Sequence, residues 1–304
     1  VPIQAVLSRR SKWRRPSPEI GNSLLHGPPA YSAASRFHIA YNKVTRHTPR
    51  KRFGQNFLVD ERVIADIVSA IRPGNDDLLV EIGPGMGALT RPLLRSVSHL
   101  HVVEIDRDII ERLRREFSGE KLTIYSGDAM KFDFSAIGKH LRVIGNLPYN
   151  ISTPILFHLS RYANGISDMH FMLQKEVVER MVAVPSSPAY GRLSVMLQCR
   201  FEMEQLFIVP PESFRPVPKV ESAVVRMLPL RQPPIDSSND SLFTDIVSAA
   251  FSQRRKTLRN TLHGYLKSED YAVLEIDPGL RAENLAVAQF VAIADHLSKR
   301  LVLS

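Results

Sequence analysis

The stretch Leu78-Leu79-Val80-Glu81-Ile82-Gly83-Pro84-Gly85-Met86-Gly87 decides the fold. Its first half is a short apolar run broken by one acid, the pattern of a strand buried on both faces. Its second half sets glycines at alternate positions, which permits a tight turn and lets a ligand come close to the backbone. A helical pattern then continues to about Arg95. Strand, glycine turn and helix in that order make the first unit of a parallel α/β sheet.

Working outward, the alternation repeats. Residues 100–105, 122–125, 141–144 and 169–173 read as further strands, with helices over 108–117, over 153–160 with Ser152 as its cap, and over 176–184. This predicts an α/β fold, a Rossmann-like, doubly wound and mostly parallel sheet whose ligands sit at the carboxyl ends of the strands. Past Pro229 the pattern changes. Residues 232–238 have linker composition, after which Leu242, Phe243, Ile246, Val247, Ala250 and Phe251 share a helical face, as do Phe290, Ile293, Ala294 and Leu297. The expected organisation is a sheet domain over 46–230 and a small all-α domain over 231–304.

Composition bounds the rest. With 44% hydrophobic residues among 304, the chain can bury a sizeable core, and no apolar run is long enough to cross a membrane. The single cysteine, Cys199, excludes a disulfide framework and a Cys-based zinc site, and suits a reducing compartment. The net charge of +9 invites a polyanionic partner, but the first 50 residues hold nine basic side chains against Glu19 alone, so +8 of it lies there. Residues 1–45, with five prolines and no periodicity, read as a disordered extension. Their Arg- and Ser-rich, acid-poor composition also fits an organellar transit peptide. A non-native or mis-assigned start is the preferred reading of a chain that opens on Val1.

The site is read from strand ends. The turn is G-x-G-x-G, not G-x-G-x-x-G, which argues against a dinucleotide, and no G-x-x-x-x-G-K-[ST] is present to hold ATP. Glu104 closes the second strand 21 residues after Gly83, where a carboxylate accepts hydrogen bonds from both ribose hydroxyls. Asp128 follows the third strand, where it can accept from an adenine amino group. A nucleoside site without phosphate machinery points to S-adenosylmethionine. After the fourth strand comes Gly145-Asn146-Leu147-Pro148-Tyr149-Asn150. There the Asn146 side-chain oxygen and the Pro148 carbonyl can both accept from an exocyclic amine, raising electron density on its nitrogen and aligning it with a methyl donor. Tyr149 offers a stacking face, worth about 1–3 kcal/mol per base. Alone, this turn reads more simply as an Asn-Pro loop with a packed tyrosine; behind the cofactor constellation it reads as catalytic.

These motifs resemble those of the ribosomal RNA adenine dimethyltransferases, especially the bacterial small-subunit type. The resemblance runs through Lys51-Arg52-Phe53-Gly54-Gln55-Asn56-Phe57-Leu58, the glycine turn and GNLPYNIS from Gly145. It continues in MLQKEVVE from Met172, YGRLSVMLQ from Tyr190, FRPVPKVESAVVR from Phe214, QRRKTLRN from Gln253 and RAEN from Arg281, spanning roughly residues 46–300. It implies methylation of N6 on two adjacent adenosines near the 3′ end of small-subunit rRNA, in an immature small ribosomal subunit, with S-adenosylmethionine as donor. It also implies that Gln55, Asn56, Leu58, Gly83, Gly85, Glu104, Asp128 and Asn146 bind the cofactor. Asn146, Pro148 and Tyr149 would serve the target base, with Phe214 as a second stacking face. No metal is implied, and the sequence carries no HExxH or paired-His cluster.

For RNA, Arg254, Arg255, Lys256 and Arg259 fall within six residues, with Arg255 and Arg259 on one face if the segment is helical. With Arg50, Lys51 and Arg52 they make a candidate phosphate-binding surface; a merely solvated helix face is the bland alternative. His158, His170 and Cys199 sit in apolar patterns and read as packing. The expected protein is a monomer without membrane association, cytoplasmic by its bacterial-type motifs, with mitochondrion or plastid as the alternative. The rival functions are a large-subunit methyltransferase of the erythromycin-resistance class and a non-catalytic ribosome-assembly or organellar transcription factor.

Overall fold

The structure is a computed structural model that describes residues 56–235 and 237–302; the expectations for residues 1–45 fall outside them. A two-residue strand β1 (Phe57–Leu58) leads into helix α1 (Glu61–Ile71), whose N-terminus is capped by Asp60 accepting from the Arg62 and Val63 amides. The expected alternation follows: β2 (Leu79–Ile82), α2 (Thr90–Leu93), β3 (Leu100–Glu104), α3 (Arg107–Glu116), β4 (Leu122–Ser126), β5 (Leu141–Asn146), α4 (Ser152–Ser160), β6 (Ile166–Gln174) and α5 (Lys175–Val182). Helix α6 (Arg192–Gln198) then precedes β7 (Phe201–Val209), β8 (Phe214–Arg215) and β9 (Ser222–Pro229).

The seven-stranded sheet has the order β4-β3-β2-β5-β6-β9-β7. Its first five strands are parallel, and β9 and β7 extend it antiparallel. The small strand β8 pairs with β1, placing Phe214 opposite Leu58. Side chains alternate across the sheet as the strand period requires. Val80, Val143 and Phe171 face α4, α5 and α6, whereas Leu79, Val102 and Ile144 face α1, α2 and α3. The result is a three-layer sandwich.

Beyond the sheet lie α7 (Asp240–Ala250), α8 (Leu258–Thr261), α9 (Ser268–Val273) and α10 (Val287–Val302). Phe243, Ile246 and Val247 of α7 and Phe290, Ile293 and Ala294 of α10 form their core, as the helical periodicity predicts. That core also takes in Tyr190, Val195 and Cys199, so α6 is buried on two sides: Leu193 and Leu197 pack toward the sheet, Val195 and Met196 toward the helices. Cys199 is fully buried, and burial pushes its thiol up to about 11. Asp270 locks α9 to α10 through His296 at 2.7 Å and Arg300 at 2.8 Å.

Three local expectations are corrected. Ser152 is the first helical residue of α4 rather than its cap, and its hydroxyl donates to the Tyr149 carbonyl at 3.2 Å. The helix after the glycine turn is only Thr90–Leu93. Residues 251–257 are turns between α7 and α8, so the shared helical face of Arg255 and Arg259 does not form. Among the described residues no helix is long and apolar enough to cross a membrane.

Candidate active site

The glycine turn after β2 is built as its composition demands. Gly83, Gly85 and Gly87 all have positive φ, at 66°, 54° and 79°, a region that side chains bearing Cβ enter only with strain. At Gly85 a Cβ would also lie 3.2 Å from the Phe57 ring. Gly145 answers a different demand: a Cβ there would sit 2.6 Å from the Ile82 carbonyl, because β5 and β2 close on one another beneath the site.

These turns edge a cavity of 280 Å³ at the carboxyl ends of the parallel strands, where doubly wound sheets bind their ligands. Asn56, Leu58, Gly83, Gly85, Glu104, Asp128, Asn146, Pro148 and Tyr149 all line it. Sheet order arrays the polar groups: Asp128 after β4, Glu104 ending β3, the glycine turn after β2, and Asn146 ending β5.

Each carboxylate is held in place by backbone. Glu104 Oε1 accepts from the Ile105 and Asp106 amides at 2.7 and 2.8 Å, and Asp128 Oδ1 accepts from the Met130 amide at 2.9 Å. Burial raises the Glu104 carboxyl above its ordinary range, against the pull of those amides. Asn146 is oriented too: its Nδ2 donates to the Asn56 carbonyl at 3.1 Å, which leaves Oδ1 as the acceptor end of the amide. The Pro148 carbonyl accepts from the Ile151 amide at 3.1 Å, leaving one lone pair for a further donor. Tyr149 is half-buried, its hydroxyl 2.8 Å from Ser222 Oγ.

Two features depart from the sequence reading. Phe214, expected as a second stacking face, is 0% exposed, packed with Leu58 in the core below β1, and has no face on the cavity. Pairing β8 with β1 turns its ring inward. Glu81, read above only as the acid that breaks the apolar strand run, is a cavity residue of its own. It is 2% exposed, accepts from Thr90 Oγ1 at 2.6 Å, and is pushed up to about 7 by burial and by the nearby Glu104 charge. An acid inside an otherwise apolar strand was the signal.

The basic residues lie elsewhere. Arg254, Arg255, Lys256 and Arg259 are exposed around the α7–α8 connection and do not line the cavity. Arg50, Lys51, Arg52 and Gln55 fall outside the described residues.

The donor set fits S-adenosylmethionine: carboxylates for ribose and adenine, an open glycine turn, and the buried carboxylate of Glu81 for a cationic ligand, with a base-acceptor turn adjoining. The sequence profile of the ribosomal RNA adenine dimethylases matches residues 46–299. Ribosomal RNA small subunit methyltransferase A of Nitrosospira multiformis is 67% identical over 254 residues, 84% of this chain and 98% of that protein. The protein of the same name from Thiobacillus denitrificans is 61% identical over 254 residues, 84% of this chain and 100% of that one. A solved dimethyladenosine transferase from Plasmodium falciparum superposes with a TM-score of 0.70 at 25% identity, covering 80% of this chain and 98% of its own. The 23S rRNA methyltransferase ErmE shares the fold, with a TM-score of 0.63 at 24% identity over 80% of this chain and all of its own. On the profile match and the identity to these relatives, the chain belongs to the ribosomal RNA adenine dimethylase family.

Proposed function

We propose that this protein dimethylates N6 of two adjacent adenosines near the 3′ end of small-subunit rRNA with S-adenosylmethionine. The observation that carries the reading is the order of groups across four neighbouring strand ends, from Asp128 through Glu104 and the glycine turn to Asn146, Pro148 and Tyr149. That order suits a nucleoside at one side and an exocyclic amine at the other, with the methyl donor between. Relatives above 60% identity are named as small-subunit enzymes, which favours this substrate over the large-subunit one.

When bound, S-adenosylmethionine supplies an electrophilic methyl on a cationic sulfur. Asn146 Oδ1 and the Pro148 carbonyl accept the N6 hydrogens, two before the first transfer and one before the second, so the nitrogen lone pair is released from the ring and aimed at the methyl carbon. Tyr149 stacks on the base and keeps it out of its helix. The transferred methyl would leave its C–S bonding pair on sulfur as a neutral thioether, and the N6 proton it displaces would pass to water. Gln55 and Asn56 complete the cofactor side. Arg254, Arg255, Lys256 and Arg259, with Arg50, Lys51 and Arg52, hold rRNA phosphates on a body whose net charge is close to zero. The reading extends to a monomer acting in the cytoplasm on the immature small subunit, with a sheet domain over 46–230 and a helical domain over 231–304.

The test offers methyl-labelled S-adenosylmethionine with immature small subunits, mature large subunits and duplex DNA, and seeks dimethyladenosine by mass spectrometry. Label in small-subunit RNA is expected; label only in large-subunit RNA or in DNA overturns the reading.

A further inference from the structure

Tyr149 sits in a turn just after β5, and a side chain with two soft torsions on a turn does not hold a plane without a tether. The tether is visible. Its hydroxyl lies 2.8 Å from Ser222 Oγ, across 73 residues of sequence, and Ser222 is fully buried. Ser222 is also well fixed: as the first residue of β9 it pairs with Gln174 of β6 and with Val209 of β7. Beside it, Glu221 accepts from the Lys175 amide and pairs with the Lys175 ammonium at 2.7 Å. At the other end of the same segment, the Ser213 carbonyl accepts from the Val59 amide at 2.9 Å and Phe214 pairs with Leu58. Residues 213–222 therefore anchor the Tyr149 ring at one end. At the other they anchor the chain just after Asn56, whose carbonyl orients Asn146.

We propose that Ser222 is a positioning residue for methyl transfer: its hydrogen bond sets the plane of the Tyr149 ring relative to the acceptor groups of Asn146 and Pro148. This rests on the reading of Tyr149 as the stacking face. The phenol serves as a handle rather than a proton donor or acceptor in the reaction, and burial, by raising its pKa, keeps it protonated. The geometry requires that Tyr149→Phe and Ser222→Ala remove the same thing, a fixed ring orientation, while each leaves a ring to stack.

The experiment measures kcat and the KM for immature small subunits, at saturating S-adenosylmethionine, for Ser222→Ala, Tyr149→Phe, the double variant and Tyr149→Ala. Cofactor affinity and thermal midpoint are measured alongside. Ser222→Ala and Tyr149→Phe are each expected to lower kcat about tenfold with cofactor affinity unchanged, because misplacement raises the barrier more than it weakens binding. The double variant is expected to be no slower than either single, since both remove one interaction. Tyr149→Ala should lose far more. Wild-type kcat in Tyr149→Phe and Ser222→Ala beside a disabled Tyr149→Ala overturns the positioning role and leaves the stacking reading standing. Full activity in Tyr149→Ala overturns the stacking reading, and this inference with it. Losses that multiply in the double variant overturn the inference as well, because the two groups then act separately. Should Ser222→Ala lower the thermal midpoint, Tyr149→Phe, which keeps the buried serine, still decides.

Discussion

At the amino ends of the parallel strands, Arg142 of β5 donates to both oxygens of Asp168 on β6 and lies 2.5 Å from Asp77 just before β2. It also satisfies the Ile71 and Arg72 carbonyls that end α1. Burial works against the Asp168 charge, but His170 and the Arg142 guanidinium outweigh it and hold the carboxyl below its usual range. At the carboxyl ends of the same sheet, Glu81 and Glu104 are more deeply buried than Asp77 and Asp168 and are pushed upward instead. Arg91, whose charge acts on Glu81 from a distance, donates instead to Glu116 and the Gly87 carbonyl. One sheet thus pairs its partly buried acids with an arginine at one end and leaves its more deeply buried acids to amide and hydroxyl donors at the other. The amino end serves stability. At the carboxyl end burial works against the charge of both acids, the apo protein is the less stable for it, and the arrangement suits the cationic methyl donor proposed above.

The largest effect that can break this comparison is at the amino end. Arg142→Met strands two partly buried carboxylates together with the Ile71 and Arg72 carbonyls and is expected to cost about 3 kcal/mol by urea unfolding, with kcat per folded molecule unchanged. A loss of kcat without loss of stability would put Arg142 in the wrong class. At the carboxyl end Asn146→Ala should do the reverse. The expected drop in kcat is about 10²–10³-fold, with the unfolding midpoint and subunit binding preserved, since it deletes the acceptor proposed above for the reacting amine.

Glu81 sharpens the contrast through pH. Its native pKa, near 7, lies above the ordinary 4.5, so between those values the folded protein holds a proton that the unfolded chain has released. Apo stability therefore falls as pH rises from about 4.5 to about 7, by about 3 kcal/mol from this group, and levels off above. Glu81→Gln should remove that slope, seen as the difference between variant and wild-type unfolding curves across the window. An identical pH dependence in both would mean Glu81 is charged throughout.

Legibility in the sequence followed range. Strands β2 to β6 were visible because each is a short apolar run bounded by turns, and the glycine turn and NLPY because their chemistry lies within a few consecutive residues. Strand β7 was not: it carries exposed Glu202 and Glu204 at the sheet edge, and a register shift between Gln205 and Phe207 breaks its alternation. The inward turn of Phe214 depends on its pairing with Leu58, and the Arg142 network joins groups 26 and 65 residues apart. Such contacts leave no periodic mark. The helical face assumed for Arg255 and Arg259 failed because the chain breaks into turns after α7, beyond the apolar stripe that defines that helix.

The smallest expected effect is also the most discriminating, because it opposes two isosteric changes. Glu104→Gln keeps the oxygen that the Ile105 and Asp106 amides bind but replaces the other acceptor with a donor, which cannot take a hydrogen bond from a ribose hydroxyl. The expected loss of S-adenosylmethionine affinity is about tenfold, or about 1.4 kcal/mol. Apo stability should hold or rise, because a neutral amide relieves the desolvation that burial imposes on the carboxylate. Asp77→Asn at the amino end should mirror it: cofactor affinity unchanged, and stability lowered by the loss of a charge-assisted hydrogen bond to Arg142. Calorimetric titration and unfolding of the two variants give four numbers. If both variants weakened the fold and neither weakened binding, the acids at the cavity would be structural after all, and the asymmetry of the sheet would have no bearing on its ligand.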